Sequence, residues 1–93
     1  MRFAVTSIEI VGSEVALDYM DEIVQEMVLL FPITRDECVG RLNRFWAGQD
    51  FSGELKVNLL KHEVTTFWAK TIYYGPNARW WNGEEGLDPE PYP

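Results

Sequence analysis

Ser13 to Phe31 runs SEVALDYMDEIVQEMVLLF, and its apolar positions leave one regular structure open. Ala16, Met20, Ile23, Val24, Met27, Leu30 and Phe31 recur at steps of three and four. A helix gathers them into one stripe, whereas a strand would scatter them over both faces. Ser13 suits the N-cap, because its hydroxyl can accept from a first-turn amide that has no partner inside the helix. Glu14 suits the positive end of the helix dipole. Pro32 ends the helix, since its ring pushes the preceding residue out of the α region. A long amphipathic helix holds its shape only when other elements cover the stripe.

A second helix follows at once. Thr34-Arg35-Asp36-Glu37 is a capping box, in which Thr34 accepts from the backbone and Glu37 reaches back, with Ile33 and Cys38 as the accompanying hydrophobic staple. Cys38, Val39, Leu42, Phe45 and Trp46 form its inward face, and Gly48 stands where a terminator belongs. The short link forces the two helices into a tight corner or hairpin. Gly40 weakens this helix by roughly 1 kcal/mol relative to Ala and marks a place where another backbone can approach closely.

A third helix is expected over Glu63 to Tyr74, with Val64, Phe67, Trp68 and Ile72 on one face and Lys70 on the other. Gly75-Pro76-Asn77 then makes a turn. Six of the thirteen aromatic residues fall between Phe67 and Trp81, so much of the core is expected there.

Arg2 to Val11 is rich in β-branched residues and reads as a short strand. Thr6-Ser7-Ile8-Glu9 also matches a helix-starting box, but Gly12 argues against that alternative. Within Gln49 to Lys61, Leu55, Val57 and Leu59 alternate with Lys56 and Asn58, a period of two. This extended run can pair with residues 2–11, provided the pair lies on the helices. From about residue 82 the chain carries Gly83, Gly86, Pro89, Pro91 and Pro93, with four acids and no base. A polyproline-like tail is expected, held against the tryptophans by Tyr92 or Leu87. The expected architecture is mainly α: three helices, a minor two-strand element and an irregular proline-rich C-terminal tail, all in one domain spanning residues 1–93.

Composition narrows the function. Fifteen acids against eight bases give a net charge of −7, which disfavours bare nucleic acid and anionic membrane surfaces while permitting a basic protein partner. The single cysteine, Cys38, excludes an internal disulfide framework and points to a reducing compartment. Met1 to Gly12 lacks the pattern of a signal peptide, and no apolar run approaches the roughly 20 residues of a membrane span. A cytoplasmic location is expected.

Trp68-Ala69-x-x-Ile72-Tyr73-Tyr74-Gly75, then Trp80-Trp81, then Pro91-Tyr92-Pro93 resembles a group of small acidic bacterial proteins without an assigned activity. His62-Glu63 and Arg41-Leu42-Asn43-Arg44-Phe45-Trp46 belong to the same resemblance, which covers roughly residues 34–93. It implies a bacterial, intracellular protein and carries no catalytic residue over.

No complete catalytic, metal or phosphate-binding motif is present, and no cofactor is expected. His62 beside Glu63 could serve as a base with an orienting acid, but one histidine without a nucleophile or second ligand fits a helix cap better. Cys38 follows two acids that oppose a thiolate, and its apolar phase fits the core. Arg41-Leu42-Asn43-Arg44 after a short turn has a DNA-reading outline that the net charge opposes. Two surfaces remain. Glu14, Asp18, Glu22 and Glu26 stand at four-residue steps with Asp21 beside them, a repulsive arrangement costing about 0.2–0.5 kcal/mol per pair. Either Arg41 and Arg44 face this row within the molecule, or the row docks a basic protein. Tyr73, Tyr74, Trp80 and Trp81 form the second surface, a partly open aromatic ledge beside a core of Phe67, Trp68 and Ile72. The leading expectation is a non-enzymatic protein-interaction module, immunity- or antitoxin-like, with self-association allowed. The alternative is a small-ligand or carbohydrate-binding domain that stacks its ligand on the ledge.

Overall fold

The computed structural model describes residues 7–76, 80 and 87–92. The Ser13 hydroxyl accepts from the Ala16 amide at 3.3 Å and starts helix α1, Glu14–Leu30. Ala16, Met20, Ile23, Val24 and Met27 are all fully buried, as the stripe requires, and the chain turns extended at Phe31 before Pro32. Leu30 departs from the stripe and is largely exposed, because the inward direction is already taken by Met27 and Phe31. Thr34 caps helix α2, Arg35–Phe45, by accepting from the Glu37 amide at 3.1 Å. The Glu37 carboxylate does not close the box; it receives Arg41 Nε at 2.9 Å instead.

Residues 54–62 are helical, not extended. Helix α3, Glu54–His62, buries Leu60 and half-buries Val57, which stand three residues apart, and turns Leu55 and Leu59 to water. Leu, Lys and Glu are good helix formers, and their preference overrides the fortuitous alternation. Among the described residues, only the end of the expected first strand pairs. β1, Val11–Gly12, lies parallel to β2, Asp50–Phe51, with Val11 opposite Asp50 and Gly12 opposite Phe51. Residues 7–10 have no regular structure, and 1–6 lie outside the described residues.

Helix α4, Thr65–Tyr74, begins two residues later than expected. Glu63 and Val64 are extended and form the whole link from α3. Trp68 Nε1 donates to the Leu60 carbonyl at 2.8 Å, satisfying an acceptor left open at the end of α3, and the Tyr19 hydroxyl donates to the Glu63 carbonyl. These two bonds fix the corner. The buried face of α4 is Ala69, Thr71, Ile72 and Tyr73; Val64 is exposed, and Phe67 and Trp68 are half-buried.

The core lies where α1 is covered by α4 and α2, with α3 closing one end. Trp46, which ends α2, meets Phe51 and Trp68 edge-on at 5.4 and 5.2 Å between ring centroids. Phe31 stacks on Tyr73 at 3.8 Å. Gly48 and Gly75 follow α2 and α4 with positive φ (+82° and +97°), a backbone that side chains rarely adopt. In the tail, Tyr92 packs on α2, and the Glu90 amide donates to the Tyr73 carbonyl at 2.8 Å.

Leu59 and Leu60 distinguish the helical from the extended reading of this segment. Leu60 is 1% exposed and Leu59 is 58% exposed. In urea unfolding, Leu60→Ala is expected to lower stability by about 2–5 kcal/mol. Leu59→Ala is expected to change it by less than about 0.5 kcal/mol. The alternating strand requires the reverse.

Candidate functional site

Four-residue steps advance only about 40° around a helix, so acids repeated at that spacing stay on one side. On α1, Glu14, Asp18 and Glu22 are exposed, and none forms an ion pair among the described residues. The other two acids of the row are tied to the fold. Asp21 pairs with Arg35 at the start of α2 and accepts from Gln25 Nε2 at 2.8 Å. The Arg35 hydrogen bond, and then that of Gln25, holds the Asp21 carboxyl below the usual aspartate range. Glu26 is half-buried and accepts from the Thr66 hydroxyl of α4.

Arg41 and Arg44 do not face this row, contrary to the internal pairing that the sequence allows. Arg41 Nη1 donates to the Glu90 carbonyl at 2.7 Å, and Arg44 Nη1 to the Pro91 carbonyl at 2.8 Å. Asn43 between them accepts from the Glu9 amide at 2.7 Å and donates to the Ser7 carbonyl at 2.9 Å. The Arg-Leu-Asn-Arg segment is therefore a clasp for both ends of the chain. Polar residues capable of several bonds, set around a buried leucine, are the only local sign of this role, and they do not name their partners.

Beyond Glu22 the outward face of α1 turns apolar. Val28, Leu29 and Leu30 are 41, 81 and 42% exposed, because the inward stripe leaves no place for them. Gln25, Val28, Leu29 and Arg35 line a shallow cleft of about 310 Å³. Sequence reasoning named the acids and missed this patch, since Leu30 fitted the stripe and its two neighbours looked like its flanks.

Of the aromatic ledge, Tyr73 belongs to the core, whereas Tyr74 and Trp80 are partly open. Tyr73 is 8% exposed and stacked on Phe31. Tyr74 is half-buried and edge-on to Phe31 at 5.8 Å. Trp80 is half-buried, edge-on to Phe67 at 5.7 Å with Lys70 above it, and donates from Nε1 to Thr71 Oγ1 at 3.4 Å. Trp81 lies outside the described residues.

His62 is exposed in the last turn of α3, not at a helix start, and there it suits the negative end of the dipole. Among the described residues no three His, Cys, Asp or Glu side chains gather closely enough to hold a metal ion. Cys38 is fully buried; burial first, and then the neighbouring Glu37, push its thiol above the usual range. No helix among the described residues is long and apolar enough to cross a membrane. No protein-family model, curated protein or solved structure matches the chain.

Two measurements check this geometry. Asp21 has a lowered pKa in the fold, so its contribution is present above the unfolded value near ~4 and lost as pH falls through the lower folded value. Because the pair with Arg35 is half-exposed, Asp21→Asn is expected to cost less than ~1 kcal/mol at pH 7, and the difference from wild type should vanish in acid. Urea titrations at pH 7 and pH 2.5 read both values. For Cys38, an aromatic disulfide reagent at pH 8 is expected to label the native protein only as fast as it opens, and the unfolded chain at once.

Proposed function

We propose that this chain is a protein-interaction module that docks a basic protein partner on the outward face of α1. The reading rests on one juxtaposition. Leu29, 81% exposed between Val28 and Leu30, continues the same helix face that carries the exposed acids Glu14, Asp18 and Glu22. Exposed apolar side chains in a group, bordered by charge, are a common mark of a protein-binding surface. The two halves of the face serve different purposes. Three carboxylates on a chain of net charge −7 draw a basic partner in and orient it, which acts mostly on the rate of encounter. Leu29 and its neighbours then lose water against the partner, and that burial supplies the affinity. A protein that covers a basic effector in this way acts as an immunity protein or antitoxin does, and the acidity and size of the chain suit that role. Asp21 and Glu26 support the face rather than the partner, since both already have internal hydrogen bonds.

The test begins with a pull-down from the source cells. The captured partner is then purified and its kinetics measured against wild type, Leu29→Asp, and the double variant Asp18→Asn/Glu22→Gln. Leu29→Asp is expected to raise Kd at least tenfold through faster dissociation. The double variant is expected to slow association and flatten its salt dependence, with both variants still folding cooperatively. A partner that binds all three alike would show that α1 is only a solvated face.

A further inference from the structure

The tail does more than end the chain. Glu90, Pro91 and Tyr92 lie in a groove formed by α2 and the C-terminal end of α4, which holds the first two by their backbone and the third by its ring. Glu90 uses its whole backbone: its amide donates to the Tyr73 carbonyl at 2.8 Å, and its carbonyl accepts from Arg41 at 2.7 Å. Pro91 offers its carbonyl to Arg44 at 2.8 Å and has no amide to leave unpaired. The Tyr92 ring lies within reach of two guanidinium groups, 5.3 Å from that of Arg41 and 5.2 Å from that of Arg44.

Two glycines make room for this segment. A Cβ on Gly40 would overlap the Tyr92 hydroxyl, so the ring rests where α2 has no side chain. A Cβ on Gly75 would overlap the Glu90 carboxylate. Arg41 is prepared before any tail arrives. It is bonded to Glu37 through Nε and lies 5.1 Å from the Tyr73 ring centroid, contacts that do not involve the tail, so its Nη1 is already aimed. The segment itself sits on the outside, with Glu90, Pro91 and Tyr92 all exposed on their other side. Beside it an open cavity of about 430 Å³ continues between Arg41, Phe45, Ile72 and Pro76.

These features describe a receptor for an extended peptide: fixed donors and acceptors for its backbone, a cationic platform for one ring, and space for more. We propose that the groove between α2 and α4 recognises an extended segment with a Pro-Tyr core presented by another polypeptide, with this chain's own tail as the resident competitor. The occupant is defined by the tail already seated there. Every contact above is local to three consecutive residues, so the groove cannot tell whether they are joined to its own chain. Proline holds the segment extended in advance, which lowers the ordering cost of binding in trans. Joined to the chain, the tail competes at an effective concentration on the order of 1 mM, so a free segment enters easily only when the tail is weakened. This site is separate from the outward face of α1, and each stands or falls alone.

The probe is a fluorescent peptide of residues 87–93, LDPEPYP, titrated by anisotropy into full-length protein. Tyr92→Ala protein, whose tail has lost its anchor, is expected to bind the peptide at least tenfold more tightly than wild type does. Adding Gly40→Ala to that variant is expected to weaken binding at least tenfold while α2 gains helix propensity, so the loss cannot be put down to unfolding. A peptide carrying Tyr92→Ala should not bind at all. The proposal is overturned if Tyr92→Ala protein fails to bind the peptide at millimolar concentration. Equal binding by wild type, indifference to Gly40→Ala, or equal binding of the Tyr-less peptide would overturn it as well.

Discussion

Five side chains on α1 have to be removed from water together. Ala16, Met20, Ile23, Val24 and Met27 are each fully buried, and no single neighbouring helix is wide enough to cover them. α2 and α4 therefore lie against α1 side by side, and α3 is used as a short end piece. The aromatic residues follow from this arrangement. Phe31 and Tyr73 stack where α1 ends against α4, and Trp46, Phe51 and Trp68 fill the space where α2, β2 and α4 converge. The two-residue strands are a consequence as well. β1 and β2 are the chain just before α1 and just after α2, brought together because those helices pack, with the Ser13 amide donating to the Phe51 carbonyl at 3.2 Å to continue the pairing.

Arg41 is the second constraint, and it works in the opposite sense. A nearly buried guanidinium is costly unless its donors are bonded and its charge is met. The Glu37 carboxylate meets the charge, and the carbonyls of Tyr73 and Glu90 take further donors. The second of these comes from the tail, so the tail completes the solvation of a charge that α2 carries inward. Asn43 does the equivalent at the other end of the chain by bonding residues 7 and 9. Residues 7–9 and 90–91 are thereby fastened to one helix by polar contacts, whereas the helices themselves are held by apolar ones.

How far the fold can be read in advance depends on whether its determinants are local. Ser13 and Thr34 each cap a helix through an atom three residues away, and both starts are legible for that reason. α3 has no such signal: Gly53 precedes it, no side chain caps it, and only nine residues carry its pattern. Over so short a stretch the period-two run of Leu55, Val57 and Leu59 fits as well as the helical pair Val57 and Leu60. Gly40 is visible as a weak point in α2, but its purpose is not, because the ring that needs the space belongs to Tyr92 at the far end of the chain. The acidic row is likewise only half legible. Spacing places the five acids on one side of α1, but the pairing of Asp21 with Arg35 and of Glu26 with Thr66 depends on how α2 and α4 lie.

That division bears on the docking face proposed for α1. Arg41 and Arg44 would have neutralised the row had they faced it, but their hydrogen bonds go to Glu37 and to the tail carbonyls. Glu14, Asp18 and Glu22 therefore have no ion-pair partner among the described residues, and a four-residue step along a helix is about 6 Å. At physiological salt the screening length is about 8 Å, so the three act on an approaching partner as one elongated patch rather than three points. Such a patch attracts any cation and distinguishes little. Selectivity has to come from what lies at its end, where Leu29 stands about 10 Å further along the axis. On the docking reading proposed above, a partner would place basic groups along one line and an apolar recess beyond them at that separation, a demand that charge alone does not impose.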